Sequence, residues 1–150
     1  MKPQLPVYIF IVFLLGSFVA GYLPAIIILV YLFMGTITFF IYWKDKAAAV
    51  SGKWRVNERT LHLCGLLFGW VGALIAQQYF RHKTHKKSFR LMFWMTVVVN
   101  ISFIGWLHTD AGGEVLQTGM YKVERFVANI DSVDNVMPWL LELTRFQQGF

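Results

Sequence analysis

Residues 25–43 read AIIILVYLFMGTITFFIYW, nineteen consecutive positions without a charge. A hydrocarbon core of ~30 Å takes about 20 helical residues to cross, and a helix satisfies its own backbone polar groups where no water is present. The stretch predicts a membrane-spanning helix, and Tyr42 and Trp43 at its end are side chains that settle at a membrane–water interface. The chain around it agrees. It is 57% hydrophobic, 17% aromatic and only 15% charged, with a mean hydropathy of +0.52, whereas soluble domains carry about 25% charged residues. A soluble fold is excluded on composition.

Three further apolar stretches flank this one. Val7–Leu23 precedes it, separated by Gly21-Tyr22-Leu23-Pro24. Proline is tolerated in a first helical turn, where its missing N–H costs nothing, so these two stretches predict a tight helical hairpin. Lys2 ahead of an apolar core also resembles a signal peptide. However, Phe18 stands where a small residue would be needed before a cut after Ala20, so we expect a retained helix. Leu61–Phe80 and Leu91–Leu107 follow, preceded by the basic segments Lys44–Thr60 and Arg81–Arg90. Asn57 reads as a helix cap, with Glu58 in the first turn complementing the helix dipole. Beyond His108 the chain is more polar. Val123, Phe126, Val127 and Ile130, and again Val136, Trp139, Leu140 and Leu143, recur at i, i+3, i+4, i+7, which predicts two short amphipathic helices.

Charge is segregated along the chain. Up to Arg90, eleven Lys or Arg face only Asp45 and Glu58, a net of +9; from Leu91 onward three basic residues face six acidic ones, a net of −3. Basic loops stay on the cytoplasmic side of a membrane. If Leu61–Phe80 spans the bilayer, the two basic segments (+3 and +5) fall on opposite sides; if it enters and leaves on one side, both stay cytoplasmic. Gly69 and Gly72 would then form the turn of a re-entrant hairpin, with Trp70 at its tip. Gly65, Gly69, Ala73 and Ala76 alternatively form a small-residue face suited to close packing of a spanning helix. The charge balance favours the hairpin. The expected fold is an all-α integral membrane helical bundle with three to four hydrophobic segments, the third re-entrant or spanning. Residues 1–107 form the membrane domain and residues 108–150 an amphipathic helical tail outside the bilayer.

One block of residues has a wider resemblance. Asp45-Lys46 with Ala49, Arg55-Val56-x-Glu58, Gly69-x-x-Gly72-Ala73 and Phe80-Arg81-His82-Lys83-Thr84-x-Lys86-x-x-Phe89 together resemble a bacterial membrane family, the domain-of-unknown-function family 1294. The resemblance covers roughly Ile41 to Phe93. Family members often have Pro where this chain has Asn57, Gly-Gly where it has Phe68-Gly69, and in some cases Pro at the position of Val71. Some are fused behind a cold-shock domain. The resemblance implies a location in the bacterial inner membrane, as a multi-pass protein, and implies no chemistry.

The residues that any activity would use lie in the two basic segments. Arg81, His82, Lys83, Thr84 and Lys86, with Asp45, Lys46, Arg55 and Glu58, are the candidate ligand-binding set. Arginine offers a planar fork matched to phosphate oxygens, lysine a mobile point charge, and threonine a hydroxyl donor. The plainer reading of the lysines is that they anchor helix ends. For Asp45 and Glu58 the plainer reading is ion pairing, for example Asp45 with Arg55 or Glu58 with Arg81. Should the protein be catalytic, Glu58 and His82 are the candidate bases. The single Cys64 excludes an intrachain disulfide, and five cations within Arg81–Arg90 oppose a metal at His82 and His85. A haem between His62 and His108 would need both at one depth, so no metal or cofactor is expected. No acid lies within an apolar stretch, which argues against a proton-coupled pump. Three functions stay open: a basic cytoplasmic face binding phosphate-bearing ligands (anionic lipid head groups or nucleic acid), a small intramembrane enzyme modifying a lipid or isoprenoid, or a structural subunit. The last would be a homo-oligomer or would pack on a larger membrane partner through Gly65 and Gly69.

Overall fold

A computed structural model describes residues 5–80, 86–128 and 142–144 of the chain. Every element among them is helical: α1 (Leu5–Val19), α2 (Ala25–Val50), α3 (Glu58–Cys64), a π-type turn (Gly65–Gly69), α4 (Trp70–Tyr79), α5 (Lys87–Leu107) and α6 (Asp110–Ala128). Three stretches are long and apolar enough to cross a membrane, Ala25–Val50, Glu58–Tyr79 and Lys87–Leu107, while Leu5–Val19 is shorter. This composition and length fit a multi-pass membrane protein. By packing, the chain divides into two compact units: Met1–Phe10 with Val30–Ser102, and Ile11–Leu29 with Phe103–Phe150.

In the first unit the middle stretch does not run straight. Leu67 (φ −83°, ψ 49°) and Phe68 (φ 67°, ψ 1°) leave helical geometry, and the neighbours on either side show that the chain reverses. Along α3 and into the turn, contacts with α5 rise in order. The His62 ring lies 4.4 Å from Phe89, Gly65 packs on Thr96, and the Asn100 amide donates to the carbonyls of Gly65 at 3.2 Å and Leu66 at 3.1 Å. Along α4, contacts with α2 rise likewise: Phe68 on Tyr31 at 5.2 Å, Gly72 against Gly35, and Gln77 donating to the Tyr42 hydroxyl at 3.3 Å. So α3 runs with α5 and α4 runs with α2. These two long helices are themselves antiparallel, since Tyr31 donates to Asn100 at 3.2 Å while Tyr42 stacks near Phe89 at 6.4 Å. The third segment is therefore a helical hairpin. From Tyr42 to Tyr31 is eleven residues of helix, ~16 Å, so its tip lies about half a hydrocarbon thickness from its mouth.

The details of the reversal differ from the expectation. The turn falls at Leu67-Phe68 rather than at Gly69 and Gly72, and Trp70 is not its tip but the first residue of α4. Trp70 is fully buried, with its ring 4.8 Å from Phe10. Gly69 and Gly72 serve close approach instead: a Cβ on Gly69 would sit 2.0 Å from the Thr38 hydroxyl oxygen, and one on Gly72 1.8 Å from the Gly35 carbonyl oxygen. The small-residue face is thus real but is used within the unit. Gly65, Ala73 and Ala76 are buried as well.

The helix ends also differ. α2 continues seven residues past Trp43, because Lys44-Asp45-Lys46-Ala47-Ala48-Ala49 is a good helical sequence although too charged for the bilayer. Asp45 and Lys46 therefore stand on a helix, not in a loop. Asn57 caps α3 as expected, its side-chain oxygen accepting from the Arg59 N–H at 3.0 Å.

The second unit is held by a polar contact of its own. Its first turn places Gly21 at φ 80° ahead of Pro24 and α2. The Ile104 carbonyl can only accept, so the 2.8 Å contact to His108 Nδ1 places a proton there, while Nε2 lies 2.9 Å from the Ser17 hydroxyl. Phe13 and Tyr22 flank this ring at 5.3 and 5.4 Å. α6 begins at Asp110, well before the expected start near Val123, despite Gly112, Gly113 and Gly119. Gly112 allows it, since a Cβ there would lie 2.1 Å from the Trp106 carbonyl oxygen. Most of the second expected amphipathic helix lies outside the described residues. Thr144, at its end, hydrogen-bonds the Glu124 carboxylate.

A hairpin makes a direct prediction. Single cysteines at Lys53 and Lys86, in a Cys64→Ala background, should be labelled by an impermeant maleimide from the same side of sealed vesicles. Labelling from opposite sides would mean that Glu58–Tyr79 spans the bilayer.

Candidate functional site

Four helix ends meet at the mouth of the hairpin: the end of α2, the starts of α3 and α5, and the end of α4. The polar residues described there include Asp45, Arg55, Glu58 and Lys86. Asp45 is fully buried; its Oδ1 accepts from the Val56 N–H at 3.0 Å and lies 3.8 Å from the half-exposed Arg55 Nε. An unpaired carboxylate at zero exposure would be costly, so the Arg55-Val56 strand of the loop is held to α2 by the need to solvate it. Glu58, in the first turn of α3, takes a 2.7 Å ion pair from Lys86, just ahead of α5. Both groups are about half-exposed or somewhat less, so the pair is worth at most about 1 kcal/mol. Its geometry matters more, because it ties the loop before α5 to the cap of α3. Below these pairs, Tyr42, Gln77, His62 and Phe89 form the floor.

Of the sequence candidates, Asp45, Arg55, Glu58 and Lys86 are brought to this one end, and Lys46 stands on the last turns of α2, partly exposed. Arg81, His82, Lys83 and Thr84 lie outside the described residues. The residues that flank them, Phe80 and Lys86, are at the same mouth: Phe80 packs on Phe39 at 5.3 Å. The expected Asp45–Arg55 pair is present. For Glu58 the described partner is Lys86, which the sequence reading placed among the cations without assigning it to an acid. Among the described residues no group of three or more His, Cys, Asp or Glu is placed to hold a metal ion. Sequence reasoning missed the role of Tyr42, taken as an interfacial marker. It is fully buried and accepts from Gln77, and the available signal was its position one helical turn before Asp45. The Gly65 and Gly69 face, considered above for a partner, is occupied inside the chain.

A family model described as "Protein of unknown function (DUF1294)" matches residues 35–89. Those limits coincide with structure: Gly35 meets Gly72 and Phe89 meets His62, so the match takes in the hairpin and the parts of α2 and α5 that clasp its mouth. The chain is also similar to the "Uncharacterized protein YsdA" of Bacillus subtilis (strain 168), 40% identical over 52 residues, or 35% of this chain. The matched region spans 58% of that relative's length. No solved structure matches the chain.

Proposed function

We propose that this chain, whose residues 35–89 match the model of the DUF1294 family of proteins of unknown function, is a multi-pass protein of the bacterial inner membrane whose hairpin mouth binds the phosphate of an anionic lipid head group. The observation that carries this reading is that the described cations of Lys44–Thr60 and of Lys86–Arg90 gather at one end of the first unit, where they outnumber Asp45 and Glu58. Asp45 lies beside Arg55 and Glu58 pairs with Lys86, and both acids act as fixed points. Lys44, Lys53, Arg59, Lys87 and Arg90 are exposed around them. Each cation near an anionic surface adds ~1 kcal/mol of attraction, and a site closer than that can add bidentate hydrogen bonds. Lipid is favoured over nucleic acid because the site lies where apolar helices end. The described residues also offer no stacked row of exposed aromatics on the basic loop beyond Trp54.

A test uses dihexanoyl phosphatidic acid, which carries the phosphate but little chain. Binding to the folded state should raise the melting temperature of the detergent-solubilised protein by mass action, and dihexanoyl phosphatidylcholine should do so less. Arg81→Gln with Lys83→Gln should remove most of that difference, and Lys86→Gln with Lys87→Gln less of it, because the first pair belongs to the family block. Equal losses in both pairs, vanishing together with added salt, would indicate unspecific surface charge. Stabilisation by a single-stranded oligonucleotide but not by phosphatidic acid would move the site to nucleic acid.

A further inference from the structure

A groove of about 320 Å³ runs along the outside of the first unit between α2 and α4, walled by Leu32, Thr36 and Phe40 on one side and by Val71, Gly72 and Ile75 on the other. It exists because Gly35 and Gly72 bring the two backbones into contact at its floor and contribute no side chains to fill the space above. Its lining is apolar in effect: Thr36 turns its hydroxyl inward to the Leu32 carbonyl at 2.8 Å, which leaves its methyl for the groove. Leu32 and Phe40 are 66% and 57% exposed, far more than residues of such size would be if the groove were a closed core. All of this lies within the uncharged stretch of α2, at a depth where hydrocarbon is the solvent.

We propose that this groove is a lipid site that seats one hydrocarbon chain of a phosphate-bearing lipid, with the phosphate at Lys44. The register of α2 carries the argument. Leu32, Thr36 and Phe40 follow one another at four-residue spacing along one helix face, and the next residue in that series is Lys44, exposed, beside the exposed Trp43. An apolar channel therefore ends in a cation and an interfacial indole. From Lys44 to Leu32 is twelve residues, ~18 Å of helix, close to the depth of one leaflet. A lipid chain entering from the interface has that length and that polarity order, a charge at one end and methylenes along the rest. At the same interface, Phe39 packs on Phe80, the residue before the Arg81 block. The seat rests on the head-group reading above and specifies which lipid atoms the helices, rather than the loops, would recognise.

The test is photo-cross-linking in phosphatidylcholine vesicles with two probes that share one diazirine-bearing acyl chain, a phosphatidic acid and a phosphatidylcholine. The phosphatidic acid probe should label residues 32–40 and 71–75 several-fold more than the phosphatidylcholine probe. Ile75→Trp, which fills the groove, should cut that labelling about tenfold. Leu32→Trp fills it from the other wall and should do the same, so a folding defect in one variant does not decide the matter. Lys44→Gln should leave chain labelling in place and reduce the preference for phosphatidic acid. Labelling spread evenly over the exposed Met92 and Met95 of α5 and the groove, and insensitive to both Trp variants, would overturn the seat while leaving the short-chain binding result standing. Equal labelling of the groove by both probes, still lost in the Trp variants, would keep a chain seat and overturn the phosphate reading. Cross-links from the groove to a second copy of the chain would overturn the lipid occupant altogether.

Discussion

Asn100→Leu is expected to destabilise the protein in detergent by about 2–4 kcal/mol and to release the third segment from its hairpin. Asn100 is 1% exposed in the middle of α5. Its amide nitrogen is shared among the carbonyls of Gly65, Leu66 and Thr96, at 3.2, 3.1 and 2.8 Å, and its oxygen accepts from Tyr31. In a straight helix the carbonyls of Gly65 and Leu66 would pair with the N–H groups of Gly69 and Trp70. The excursion at Leu67 and Phe68 disturbs that ladder, and irregular backbone at membrane depth persists only where protein or water satisfies it. Interhelical hydrogen bonds in membranes average ~0.6 kcal/mol, because the unfolded chain finds partners of its own. A larger figure applies here because leucine would remove at once the side-chain donor to two carbonyls and the acceptor of a buried tyrosine hydroxyl, at about 1–3 kcal/mol for each group left unsatisfied before relaxation. The competing state is also specific. A straight helix would pair those carbonyls and relieve Phe68 of a left-handed conformation that costs ~1–2 kcal/mol in a residue with a Cβ. Asn100→Leu should therefore lower the melting temperature and also shift labelling of the Lys53 and Lys86 cysteines toward opposite faces. Asn100→Asp keeps the shape and the acceptor for Tyr31, but it retains one donor at most when neutral and buries a charge when ionised, so it should also lower the melting temperature. Retention of same-side labelling at unchanged stability in both variants would show that the hairpin is held by packing alone.

How far the sequence led is clearest at this hairpin. Its existence was legible from charge, because two basic segments on either side of Leu61–Phe80 are hard to reconcile with a crossing. Its turn was not. Rules for left-handed backbone point to glycine, and so to Gly69 and Gly72, whereas the residue at positive φ is Phe68. What permits a phenylalanine there is tertiary: its ring packs on Tyr31, and Tyr31 is itself bonded to Asn100, 69 residues further on. Neither contact can be read from local pattern. The end of α2 was misjudged for a different reason. Lys44 and Asp45 end the uncharged stretch, while the Ala47–Ala49 run keeps the helix going beyond it. The site shows the same division. Asp45 and Arg55 could be paired on paper because they flank one loop, and Asn57 could be named as a cap from its position before Glu58. The partnership of Glu58 with Lys86 needed the fold, since only a reversal inside the third segment brings positions 58 and 86 together.

Gly72→Ala is expected to be severely disruptive, whereas Gly35→Ala should be nearly neutral, although the two glycines touch. A Cβ on Gly72 would lie 1.8 Å from the Gly35 carbonyl oxygen and 2.5 Å from its carbon, both backbone atoms on a packed helix. No rotamer change can clear them, so α2 and α4 would have to separate by more than an ångström. That would weaken the neighbouring fit of Gly69 beneath Thr38 and the Gln77–Tyr42 bond at the mouth. Overpacking of this kind costs about 1–3 kcal/mol where side chains can yield, and a backbone obstacle places it at the upper end or beyond. Gly35 faces differently. Its Cβ would meet the Gly72 nitrogen at 3.6 Å, an ordinary contact, and the added methyl would project beside the groove. There the intrinsic helical advantage of alanine over glycine, up to ~1 kcal/mol, offsets the modest crowding. Gly105, with nothing within 4 Å of an added Cβ, serves as the helix-propensity control. Thermal unfolding in detergent should thus rank Gly105→Ala and Gly35→Ala at or above the parent and Gly72→Ala far below it. If Gly35→Ala and Gly72→Ala were equally damaging, the α2–α4 crossing would have to be rotated from the one described, and the groove between these helices would be redrawn with it.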